Sequence, residues 1–208
     1  MNDTDKFSEF YQGHLQQHGA SAQGVGWKNE EAQLIRFSKL YELISDKDHS
    51  SFSINDLGCG VGDFVHFLST RAQNFVYRGY DIMPEMIQKA KMNYAHRHQT
   101  SFQCISHAAE TLLSDFTIAS GIFNIRFEAH DQEWLTHVLE TLEIMNNKSL
   151  RGFAFNILSI YSDPEYRKKE LYYADPRYLF DYCKKSFSKN VALLHDYDQY
   201  DFTLIVRK

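Results

Sequence analysis

The stretch INDLGCGVGDF, residues 54–64, limits what this chain can fold into more than any other. Gly58, Gly60 and Gly62 stand at alternate positions, directly after an apolar run that ends in Asp56. Glycine tolerates positive φ, and without a Cβ it lets a ligand touch the backbone. The segment DFVHFLSTRA that follows reads as a helix, and a helix beginning near Asp63 turns free N–H groups toward the same space. A glycine loop between a strand and a helix points to a nucleotide site.

The spacing sorts the nucleotides. A dinucleotide fingerprint reads G-x-G-x-x-G, whereas this loop reads G-x-G-x-G, and it lacks the lysine of a phosphate-binding P-loop. Asp56 and Asp63 place two anions at the loop, which suits a ligand carrying an ammonium group better than one carrying phosphates. A second strand-like run, NFVYRGYDI, ends at Asp81, about 20 residues beyond the loop, where an acidic side chain accepts hydrogen bonds from both hydroxyls of a ribose.

The rest of the chain alternates. EEAQLIRFSKLYELIS reads as a helix with Leu34, Phe37, Tyr41 and Ile44 on one face and Leu40 beside them. Helical stretches follow each of the first two strands, then strands SFQCISHA and DFTIASGIFNI, helix QEWLTHVLETLEIM, strand RGFAFNILSIY and helix DPRYLFDYCKKSF. NVALLHDY and DFTLIVRK are close enough to pair as a hairpin. This order predicts an α/β fold: a Rossmann-like, seven-stranded, mostly parallel sheet with one antiparallel strand from the C-terminal hairpin and helices on both faces. One domain is expected, with residues 1–48 as a helical extension and 49–208 as the core.

DLGCGVGDF followed by GYDIMPEMIQKAK resembles the class I S-adenosylmethionine-dependent methyltransferases. The resemblance implies S-adenosylmethionine as cofactor, with S-adenosylhomocysteine as product and no metal. It implies that Gly58, Cys59 and Gly60 pass the methionine portion, with Gly62 completing the loop. Asp56 is implied near the amino group, Asp81 on the ribose, and Ile82 and Met83 against adenine. SHAAE matches the region that brackets the adenine. Many relatives carry an Asp there, and this chain has His107 followed by Ala108. ASGIFN matches the strand end beside the reactive methyl, with Ser120, Gly121 and Phe123 as contacts.

The acceptor side is less constrained. Asn124, Glu128 and His195 are candidates for orienting or deprotonating an acceptor, with His130 as a further histidine near a strand end. Trp27, Phe123, Tyr172 and Tyr173 are candidate acceptor contacts, and HGASAQGVGW is a candidate cover for the cleft. SGIFN lacks the [DN]-P-P-[YFW] turn of many enzymes that methylate base amines. None of the three cysteines follows the fourth or fifth strand, where a nucleophilic cysteine for RNA cytosine C5 chemistry would sit.

The net charge of −5 argues against a dedicated nucleic-acid binder, which normally presents a basic face. No apolar run approaches the ~18–20 residues that cross a bilayer, and MNDTDKFSEF lacks the pattern of a signal peptide. Three scattered thiols without C-x-x-C spacing fit a reduced, cytoplasmic protein. The expected function is methyl transfer to an O or N atom of a small molecule. A non-catalytic cofactor-binding module and an RNA methyltransferase that borrows a partner's basic surface are the alternatives.

Overall fold

The computed structural model describes residues 29–44 and 51–208. Trp27 and the HGASAQGVGW segment lie outside the described residues. Helix α1 (Glu30–Tyr41) is followed by β1 (Phe52–Leu57), α2 (Asp63–Ser69), β2 (Phe75–Asp81), α3 (Pro84–Asn93), β3 (Thr100–Cys104) and β4 (Ser114–Ser120). Then come α4 (Asp131–Asn147), β5 (Ser149–Leu158), α5 (Pro176–Ser186), β6 (Asn190–Leu194) and β7 (Asp201–Arg207).

The strands form one sheet in the order β3-β2-β1-β4-β5-β7-β6. β1 to β5 pair in parallel, and β7 runs antiparallel to both β5 and β6. The hairpin thus contributes one antiparallel strand, as expected, and inserts it between β5 and β6. Strand order reverses at β1, which has β2 on one side and β4 on the other. In such sheets the crevice beyond the carboxyl ends of the two diverging strands is the natural ligand site.

Local chemistry fixes the helix starts. Pro84 and Pro176 open α3 and α5, where a missing N–H costs nothing. Asn29 Oδ1 accepts from the Ala32 N–H at 2.9 Å, and Asp175 Oδ1 from the Arg177 N–H at 2.9 Å. Phe37, Leu40, Phe64, Phe67 and Ile87 of α1 to α3 pack on one sheet face. Val138, Leu142, Leu179 and Cys183 of α4 and α5 pack with Phe153, Phe155 and Phe202 on the other.

Two expectations need correction. Helix α1 buries Gln33, Arg36, Phe37 and Leu40 and leaves Leu34 43% exposed, so its inward face is rotated from the apolar stripe. The cause is an ion pair: Arg36 Nε and Nη2 donate to Asp201 Oδ2 and Oδ1 at 2.7 and 2.6 Å, and Asp201 is fully buried. Strand β4 stops at Ser120 instead of running through GIFNI, because Gly121 turns the chain at φ 75°. Among the described residues, no helix is long and apolar enough to cross a membrane.

Candidate active site

The carboxyl ends of β1 and β4 open into a cleft of about 1180 Å³. Its floor is the glycine loop. Gly58, Gly60 and Gly62 all take positive φ, at 77°, 53° and 91°. A Cβ on Gly58 would lie 2.1 Å from Ile122 Cγ2, so this glycine lets the loop pass under the β4 turn. Gly58→Ala should cost about 1–2 kcal/mol from the left-handed backbone alone, with a further cost as Ile122 shifts. Urea denaturation checks this, and an unchanged midpoint would show that the loop relaxes freely.

Four of the loop's amides are already used. The N–H groups of Gly58 and Cys59 both donate to Tyr80 O, at 2.7 and 3.0 Å. The Gly60 N–H donates to Asp81 Oδ2 at 2.8 Å, and the Gly62 N–H to Cys59 O at 3.0 Å. A phosphate cradle needs such N–H groups free. This loop instead presents shape and the carboxylates of Asp56, Asp63 and Asp81, all of which line the cleft. That set of acceptors fits a nucleoside that carries a cation and no phosphate.

Asp81 ends β2 and is buried, with Oδ1 accepting from the Met83 N–H at 2.9 Å. Burial raises its carboxyl above the usual range, and the bonds from Met83 and Gly60 partly oppose that. Backbone bonds from Met83, Gly60 and Ile82 fix the carboxylate's plane, and its face toward the cleft is where a ribose diol would donate. Ile82 and Met83 line the cleft beside it.

Across from them, Glu110 Oε1 accepts from the Ser106 N–H, the Ser106 hydroxyl and the His107 N–H, each at 2.8 Å. These bonds, the Ser106 hydroxyl first, lower its pKa. His107 Nδ1 accepts from the Ala109 N–H at 3.2 Å, so a neutral ring carries its proton on Nε2. SHAAE is therefore a self-capped turn in which Glu110, rather than an Asp at 107, organises the backbone around Ala108.

Asp56 is buried, and its Oδ2 accepts from the Tyr77 hydroxyl at 2.5 Å. Burial raises its carboxyl to about 7; the Tyr77 bond opposes this, while Asp81 and Asp63 add to it. Asp63, also raised by burial, accepts from Gln33 Nε2 at 3.0 Å and so ties α1 to the start of α2.

At the β4 end, Asn156 of β5 is fully buried and reads two groups at once. Its Oδ1 accepts from the Gly121 N–H at 2.8 Å, and its Nδ2 donates to Ser120 Oγ at 3.2 Å. The Leu158 N–H donates to Asn124 Oδ1 at 3.0 Å, and Asn124 Nδ2 has no partner among the described residues. Residues 168–172 fold back over this end. The N–H groups of Arg126 and Phe127 donate to Glu170 O, that of Tyr172 donates to Asn124 O, and Ile125 bridges Leu171.

The structure brings together most of the cofactor candidates. Asp56, Gly58, Cys59, Gly60, Asp81, Ile82, Met83, His107, Ala108, Ser120 and Gly121 line the cleft, as does Asn124. Gly62 is buried beneath, at the start of α2. Other candidates lie elsewhere. Phe123 is fully buried edge-on to Phe155, and only its carbonyl serves the site, by accepting from Trp134 Nε1 at 2.8 Å. Tyr172 is in the core, and the Tyr173 hydroxyl accepts from the Lys168 N–H at 2.9 Å. His195 packs against Tyr161 and Phe202. Glu128 and His130 are exposed and outside the lining.

Sequence reasoning missed Gln33, Ile122, Lys168, Glu170 and Leu171, and the stripe Trp134, His137 and Thr141 of α4, all of which line the cleft. The helical spacing of that stripe was the signal that could have found it. Burial lowers the pKa of His137, so its imidazole is neutral near pH 7.

Comparison with known proteins agrees with this geometry. A family model described as "Methyltransferase domain" matches residues 54–145. A Mycobacterium tuberculosis protein named "Putative methyltransferase Rv1506c" is 46% identical over 157 residues, covering 76% of this chain and 93% of that protein. The chain belongs to the class I S-adenosylmethionine-dependent methyltransferases. Among solved structures, this methyltransferase shares its fold with magnesium protoporphyrin IX methyltransferase of Synechocystis PCC 6803 (TM-score 0.69, 15% identity, 100% of this chain and 98% of that one). It shares it too with human N-acetylserotonin methyltransferase (TM-score 0.58, 15% identity, 94% of this chain and 62% of that one). The methyltransferase uses S-adenosylmethionine.

Proposed function

We propose that the protein transfers the methyl group of S-adenosylmethionine to an O or N atom of a small molecule held between the β4 end and residues 168–171. The observation that carries this reading is the size and shape of the cleft. Pockets for one drug-sized ligand occupy about 300–1,000 Å³, and this cleft has about 1180 Å³. Beyond the glycine loop the lining sets the apolar Ile122, Ile125, Leu158 and Leu171 beside the polar Asn124, Lys168 and Glu170. Such a chamber suits a compact, partly apolar acceptor. Two fold relatives are named for magnesium protoporphyrin IX and N-acetylserotonin, which supports a small-molecule acceptor.

The cofactor supplies a sulfonium-bound methyl, an electrophile that needs no further activation. The protein's task is alignment, which contributes about 7–11 kcal/mol when two reactants are held in attack geometry. Asn156 sets the shape of the β4 end through Ser120 and Gly121. Asn124, whose amide is no base, donates from Nδ2 to orient an acceptor oxygen or nitrogen. Residues 168–171 exclude water.

The test is S-adenosylhomocysteine formation with a panel of small hydroxyl, carboxyl and amine compounds and with bulk RNA. Turnover on a small acceptor is expected, falling about tenfold or more in Asn124→Ala, the loss of one positioned hydrogen bond. Turnover on RNA alone would overturn the reading. Tight binding of the cofactor without turnover on anything would favour a binding module.

A further inference from the structure

The pair under the glycine loop, Asp56 and Tyr77, goes beyond what holding a nucleoside requires. Tyr77 lies on β2 with its ring fully buried, 5.7 Å from that of Phe102, and its hydroxyl is spent on one carboxylate oxygen. Gly79, not Tyr77, is the residue opposite Asp56 in the sheet. A Cβ on Gly79 would lie 2.6 Å from Phe102 Cδ1 and 2.8 Å from Cys59 Sγ, and the tyrosine reaches along the strand to the acid.

The surroundings are negative. Tyr77 and Asp81 face Asp56 from β2, Cys59 from the loop and Asp63 from the start of α2, while Tyr94 of α3 stands beyond Tyr77. From α1, Arg36 lines the same cleft, but its guanidinium is held by Asp201 of β7. Of the groups that act on the Asp56 carboxyl, Tyr77 lowers its pKa by a hydrogen bond, while Asp81 and Asp63 raise it by their charge.

We propose that Tyr77 is a positioning residue for the cofactor's amino-acid end: acting through Asp56, it presents a carboxylate that exchanges its proton for the ligand's ammonium group on binding. The inference rests on the placement of that end of the cofactor at Asp56. Because Tyr77 donates to Oδ2, the proton that leaves is carried on Oδ1, and it passes to solvent as the ammonium arrives. Burial, with Asp81 and Asp63, holds Asp56 near 7 in the free protein, so the exchange falls close to neutrality. Below that pH the free acid is protonated and the cation must displace the proton. Affinity therefore rises with pH and levels off above about 7.

Titration calorimetry with S-adenosylhomocysteine, in two buffers of different ionisation enthalpy, reads this directly. The wild type should release most of one proton per ligand at about pH 6, and affinity should rise about tenfold between pH 6 and pH 8. 5′-Methylthioadenosine, the same nucleoside without the amino-acid end, should bind with no proton release and no pH dependence. Asp56→Asn should abolish the release and weaken S-adenosylhomocysteine alone. Tyr77→Phe keeps the buried ring and removes the bond that holds the Asp56 pKa down. It should therefore weaken S-adenosylhomocysteine selectively and move the rise in affinity to higher pH.

Equal losses for both ligands in Tyr77→Phe, or an unmoved pH profile, would reduce Tyr77 to a packing residue and overturn the proposal. Unchanged affinity and proton release in Asp56→Asn would place the amino-acid end elsewhere in the cleft, again overturning it. Neither result touches the methyl-transfer reading, which is scored separately by turnover.

Discussion

Asp81→Ala should abolish measurable cofactor binding. Hydrogen bonds to a charged group contribute about 1.5–3 kcal/mol each, and the carboxylate offers two to the ribose. Their combined loss is about 3–6 kcal/mol, or about a hundredfold to ten-thousandfold in affinity. The variant also frees the N–H groups of Gly60 and Met83 that the carboxylate holds, so the loop loses its shape as well as its acceptor. Calorimetry with S-adenosylhomocysteine and with 5′-methylthioadenosine should show losses for both, because both carry the ribose. A loss of less than about tenfold, below one such bond, would put the ribose somewhere other than Asp81.

The second large effect concerns stability. Asp201→Ala leaves the Arg36 guanidinium inside the protein without its carboxylate. Removing one partner of a buried pair costs about 3–5 kcal/mol, a large share of the ~5–15 kcal/mol that holds a domain folded. Burial raises the Asp201 carboxyl, and the Arg36 charge opposes it, so the acid's ionised form depends on its partner. Arg36→Met with Asp201→Leu should recover much of the loss, since apolar replacement of a buried pair is often neutral. Urea denaturation of the two variants measures both. A loss below about 1 kcal/mol in Asp201→Ala, the size expected of an exposed pair, would show that water reaches Arg36.

The sheet was legible because its evidence is local. Runs such as NFVYRGYD and DFTIAS are rich in apolar residues, and glycine, proline and acid residues mark their ends. The cofactor residues were legible for the same reason: Gly58 to Gly62 and Asp81 sit in fixed steps from strand ends. Contacts between distant segments were not. The rotation of α1 depends on Asp201, 165 residues from Arg36, and no periodicity in EEAQLIRFSKLY records it. Phe123 and Tyr172 looked like acceptor contacts because aromatic residues near strand ends suit both pockets and cores, and here the core took them. Lys168 and Glu170 belong to no local motif; they reach the cleft because the N–H groups of Arg126 and Phe127 donate to Glu170 O and hold that segment there.

The last strand gives the ion pair a meaning in time. Arg36 and Asp201 lie 165 residues apart, so a growing chain makes the cation long before its acid. Contacts of such sequence separation carry the largest loop-closure cost and are slow to form. Until β7 slots between β5 and β6, α1 carries a cation with no carboxylate to receive it, so burying its inner face is costly. A chain cut before β7 should therefore hold α1 less firmly against the sheet, with the cleft more open on that side. One wall of the cleft thus depends on a carboxylate far along the sequence.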